Sequence, residues 1–154
     1  MADTNNSDID LKLLRINTKE IFFNLERFNA SKGKMVVKIS SSVSIDTTTQ
    51  IAGMNHICKL IARFVMKNPD TKKDTDEDTF FSTIIGATYA INIKGKFDGQ
   101  AFQNLVDTNK EVRKKMTGPT SSWLVNSFSD LTQKATGTPV IIKKTTIENN
   151  MFKS

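Results

Sequence analysis

The residues with chemical potential are few. The chain has one histidine, His56, and one cysteine, Cys58. A nucleophile–base pair could be drawn from the two, because positions i and i+2 of a strand share a face. No orienting acid accompanies them, and a structural role for both is the expected reading. One His and one Cys also cannot supply the three or four ligands of a metal site. The acids Asp74, Asp76, Glu77 and Asp78 resemble a calcium loop only at first sight. The glycine of the sharp turn and the terminal bidentate Glu are both missing, so a solvated charged loop is expected. Gly86, Gly95 and Gly99 are too widely spaced to cradle a phosphate. Catalysis and cofactor binding are therefore not expected; no cofactor and no metal is assigned.

Composition narrows the remaining classes. The 154 residues fit one domain, and a single cysteine excludes an intramolecular disulfide and suits a reducing cytoplasm. The first ten residues are polar and acidic, unlike a signal peptide, and no apolar run approaches the roughly 18 residues of a membrane span. A cytoplasmic protein is expected. A net charge of +6 admits an anionic partner, yet the basic residues are scattered and form no dominant stripe along the sequence. Nucleic-acid binding by a sheet needs aromatics interleaved with cations on one face. The third predicted strand has Lys59 and Arg63 on one face and Phe64 on the other, so a nucleic-acid module is the weaker reading.

The elements follow from periodicity. Residues 1–9 read as a disordered tail and 10–154 as one domain. Residues 11–25 read as a strand, a polar hinge at Asn17-Thr18-Lys19-Glu20 and a second strand. A turn-forming connector at 27–34 leads to a strand over 35–46. Residues 55–67 alternate, with His56, Cys58, Leu60, Ala62, Phe64 and Met66 on the face expected to be buried. A charged loop over 68–79 precedes a strand at 80–94, where Gly86 signals a bulge or a close backbone approach. The period then becomes helical over 97–116. Gly118-Pro119 is expected to break the helix, and a second helix runs over 123–135 until Gly137 and Pro139. A final helical turn is expected over 146–152. The plan is α+β: a four-stranded antiparallel sheet with two C-terminal helices packed on one face. The other face would stay apolar in patches, which predicts oligomerisation or a sticky surface.

The stretch Leu14-Arg15-Ile16-Asn17-Thr18-Lys19-Glu20-Ile21-Phe22-Phe23 resembles the N-terminal signature of the SecB family of export chaperones. That signature reads approximately Gln-Arg-Ile-Tyr-Thr-Lys-Asp-Ile-Ser-Phe. Arg15, Ile16, Thr18, Lys19, Ile21 and Phe23 match it, and Glu20 keeps the acid. Looser similarity continues at Glu77-Asp78-Thr79-Phe80-Phe81 and from Gly137-Thr138-Pro139 onward. The resemblance implies an ATP-independent holdase that assembles as a dimer of dimers and binds unfolded polypeptide in apolar grooves. Ten Phe and six Met would supply the adaptable contacts such a protein needs. Candidate groove residues are Phe22, Phe28, Ile39, Val43, Phe64, Trp123 and Phe128; ordinary core is the competing reading for each. Acids that dock the SecA motor in that family would correspond to Glu20, Glu77 and Asp78. Asn24 stands where a further acid is common, the chain is basic, and it ends Lys153-Ser154 without an acidic tail. A chaperone coupled to SecA and one dedicated to an antitoxin or mobile-element client both fit.

Overall fold

The computed structural model describes residues 10–46, 56–69, 78–92 and 99–151. Within them the chain runs β1 (Asp10–Phe23), α1 (Leu25–Ala30), β2 (Val36–Asp46), β3 (His56–Lys67), β4 (Thr79–Asn92), α2 (Gly99–Thr108), α3 (Lys110–Thr136) and α4 (Lys144–Met151). The strands form one antiparallel sheet in the order β1-β4-β3-β2, so β1 is an edge strand, as is β2. The helices that follow the sheet cover one of its faces, in the expected α+β plan.

The expected hinge in the opening stretch is not a break. β1 is a single strand that pairs with β4 along its whole length, with register shifts between Leu13 and Arg15 and between Thr18 and Glu20. Two bulges absorb the lost alternation while the backbone stays in the ladder. The connector after β1 contains a helical turn, α1, that the turn-forming composition concealed. Asn24 caps it, its Oδ1 accepting from the Arg27 amide at 3.0 Å, while its own amide donates to the Phe80 carbonyl at 2.8 Å. One asparagine thus starts a helix and ties the end of β1 to the start of β4.

In β3 the alternation reads true. Cys58, Leu60, Ala62, Phe64 and Met66 are fully buried, and Lys59, Ile61 and Arg63 between them are exposed. β4, in the centre of the sheet, adds Phe81, Ile85, Ala87, Tyr89 and Ile91 to the same buried face. Each fully buried side chain of this size contributes about 1.5–3 kcal/mol of transfer free energy.

The helical region differs from expectation at one point. Gly118-Pro119 does not interrupt α3, which carries Pro119 inside it. The break falls at Asn109, whose Oδ1 accepts from the amides of Glu111 (3.1 Å) and Val112 (3.2 Å). Pro119 removes one intrahelical donor. Around it, the hydroxyls of Thr120 and Ser121 donate to the Thr117 carbonyl at 2.9 and 2.7 Å, and the Tyr89 hydroxyl donates to the Met116 carbonyl. Side-chain bonds and burial hold the helix through the proline. Gly137, at φ +84°, ends α3 as expected; its amide donates to the Gln133 carbonyl at 2.8 Å.

Candidate functional site

The two side chains with chemical potential, His56 and Cys58, both lie on β3. Cys58 is 0% exposed in the core, opposite Tyr89 on β4. Burial pushes its thiol up to about 12, which keeps it protonated and unreactive. Tyr89 is raised as well, first by burial and then by the adjoining Cys58. Among the described residues no group of three metal-ligating side chains occurs. Asp74, Asp76 and Glu77 lie outside the described residues, and Asp78 sits half-buried where β4 begins. The other expected docking acid, Glu20, is exposed on β1 at the second bulge.

The candidate groove residues divide three ways. Phe64 and Phe128 are fully buried, and Phe28 is only 8% exposed. Phe28 is the hub of an aromatic cluster, with ring centroids 5.7 Å from Phe23, 5.5 Å from Phe80 and 6.2 Å from Phe128; Phe128 in turn lies 5.0 Å from Phe81. These three phenylalanines belong to the hydrophobic core between the sheet and helices α1 and α3. Ile39 and Val43 of β2 are half-buried beside Phe64 and Leu60, and Trp123 of α3 is half-buried against the same core. Only Phe22 presents a large exposed side chain, at 39%, and the Arg27 guanidinium lies over its ring at 5.9 Å.

Apolar surface is instead gathered along β1 and the turn into α1. Leu13, Leu14, Ile21, Phe22 and Leu25 are all exposed, Ile21 most of all at 52%. Register places Leu13 opposite Tyr89 and Ile21 opposite Thr83, on the helix-covered face, yet the helices leave them open. Phe22 and Leu14 carry the apolar surface around the edge. Leu13 and Ile21 escaped the sequence reading because alternation marks them as ordinary inward residues; Leu14 falls in the first bulge and Leu25 opens α1, neither of which the pattern announces. An edge strand offers unpaired backbone donors and acceptors beside these side chains, which is the arrangement that accepts another extended chain. No described helix is long and apolar enough to cross a membrane.

No family model matches the chain, and no curated protein sequence matches it. Solved structures share the arrangement at low identity. A SecB-like chaperone from Mycobacterium tuberculosis, solved in complex with an antitoxin peptide, is 10% identical with a TM-score of 0.46, over 89% of this chain and 90% of its own. A protein of unknown function from Streptococcus agalactiae is 13% identical with a TM-score of 0.44, over 88% of this chain and 98% of its own.

Proposed function

We propose that the chain is a SecB-like holdase, which binds unfolded polypeptide without ATP and keeps it soluble. The observation that carries this reading is the run of exposed apolar side chains at Leu13, Leu14, Ile21, Phe22 and Leu25 on a bulged edge strand. It coincides with the stretch that resembles the SecB signature. Clients that share no sequence are best held by aliphatic and aromatic contacts with few directional groups, supplemented by backbone pairing at an edge. Ile39, Val43 and Trp123, half-buried on the helix-covered side, are secondary candidates for client contact. Assembly into dimers and dimers of dimers belongs to the same reading; an exposed apolar edge favours it.

The same surface serves a general client or one dedicated client, such as an antitoxin. The dedicated reading is favoured by the basic character of the chain and by Asn24, whose role here is to cap α1. Crosslinking to an unfolded client from a photoreactive group at position 21, against one at position 130 on the exposed side of α3, tests the assignment. Adducts from position 21 alone support it; equal adducts, or none from position 21, contradict it.

A further inference from the structure

The face of the sheet turned away from α2, α3 and α4 has its own relief. Reading across β1, β4 and β3, Arg15 lies beside Thr88 and Lys59, Asn17 beside Gly86 and Ile61, and Glu20 beside Ile84 and Arg63. The β4 positions at Ala90, Thr88 and Gly86 carry small side chains, so β4 forms the floor of a channel walled by the longer side chains of its two neighbours. The walls stand two strand spacings apart, roughly 10 Å, which is the width of one extended chain. At mid-length lies a depression of about 70 Å³ lined by Arg15, Lys19, Lys59, Ile61, Gly86 and Thr88 among others. Lys19, the extra residue of the second bulge, reaches across the floor: a Cβ added at Gly86 would lie 3.4 Å from its Cε. Arg15, Lys19 and Lys59 are exposed, and none has an ion-pair partner among the described residues.

We propose that this channel binds an extended acidic polypeptide segment, with carboxylates against Arg15, Lys19 and Lys59 and apolar side chains against Ile61 and Ile84. Charge complementarity selects an anionic occupant, since three cations with no ion-pair partner among the described residues converge on one small depression. Between them stand Ile61 on the β3 wall and Asn17 on the β1 wall. Among the described residues no aromatic side chain stands in the channel to stack a base, and Phe22, beyond its end, has the Arg27 guanidinium over its ring. A second copy of the same face is disfavoured, because a two-fold contact would set these cations against themselves. The channel and Ile21 lie on opposite faces of the sheet.

The test is fluorescence anisotropy of a labelled peptide of alternating Glu and Val, at low and at physiological salt. The full-length protein is expected to bind it, and added salt to weaken the binding. The double variant Arg15→Glu/Lys59→Glu should bind at least about tenfold more weakly, while Ile141→Ser, at an exposed position beyond α3, binds as the parent does. Both altered cations are exposed, and an unchanged circular dichroism spectrum confirms the fold. Failure of the parent to bind, or equal affinity of parent and double variant, overturns the proposal. Tighter, equally substitution-sensitive binding of a single-stranded oligonucleotide would give the face to nucleic acid instead. A lower mass in solution for the double variant would give it to contacts between copies.

Discussion

The hydroxyl of Tyr89, in the centre of the sheet, donates to the backbone carbonyl of Met116, in the turn of α3 that leads into Pro119. Both residues are at most 1% exposed, so this bond joins sheet to helix one residue from Lys115, whose carbonyl loses its helical donor to Pro119. Tyr89→Phe keeps the ring and removes this one bond. It is expected to cost about 0.5–1.5 kcal/mol, measured as a lower midpoint in urea with an unchanged slope.

The start of α3 rests on a different device. Asn109→Ala removes the acceptor for the Glu111 and Val112 amides. The expected loss is about 1 kcal/mol, and Asn109→Asp should restore it. Equal losses for both variants would show that the cap is not the source.

Alkaline pH should destabilise the fold through the same core. Cys58 has an ordinary value of 9.0 and is raised to about 12 when folded. Its raised value favours the native state fully below about pH 9, and that contribution is lost as pH climbs toward 12, because the unfolded thiol ionises first. The slope is about 1.4 kcal/mol per pH unit for one group. Tyr89 is shifted in the same direction and adds to it. Cys58→Ala should give a shallower decline in denaturation midpoint over this range. The native thiol should resist alkylation at pH 8, and the unfolded one should not.

Edge and core phenylalanines and aliphatics should separate cleanly. Phe128→Ala, in the fully buried cluster, is expected to cost about 3–5 kcal/mol. Ile21→Ser, on the exposed edge, should change stability by no more than about 0.5 kcal/mol and yet reduce protection of an aggregating client. Loss of protection only in proportion to lost stability would contradict the separation.

What the sequence revealed, it revealed through period. The alternation of β3 named His56, Cys58, Leu60, Ala62, Phe64 and Met66 as inward; the last five are buried and His56 is half-buried. Gly137 ended its helix for a local reason, its positive φ. Pro119 misled because the groups that sustain the helix around it include Tyr89, a residue of another element. Phe28 resembled a groove residue because its cover, Phe80 and Phe128, is remote in sequence. The basic residues looked scattered for the same reason. Only the strand order β1-β4-β3 sets Arg15 and Lys59 on either side of Thr88. Likewise the exposure of Ile21 follows from β1 being at an edge, which periodicity does not encode.

The central claim is that the apolar edge around Ile21 and Phe22 holds unfolded chains. Light scattering of a chemically unfolded client diluted from denaturant, with equimolar protein and no nucleotide, tests it most directly. The account predicts that the parent protein suppresses the rise in scattering and that Ile21→Ser/Phe22→Ser, with its fold intact, does not. Aggregation that proceeds unchecked with the parent for general clients and for antitoxin clients alike would contradict it.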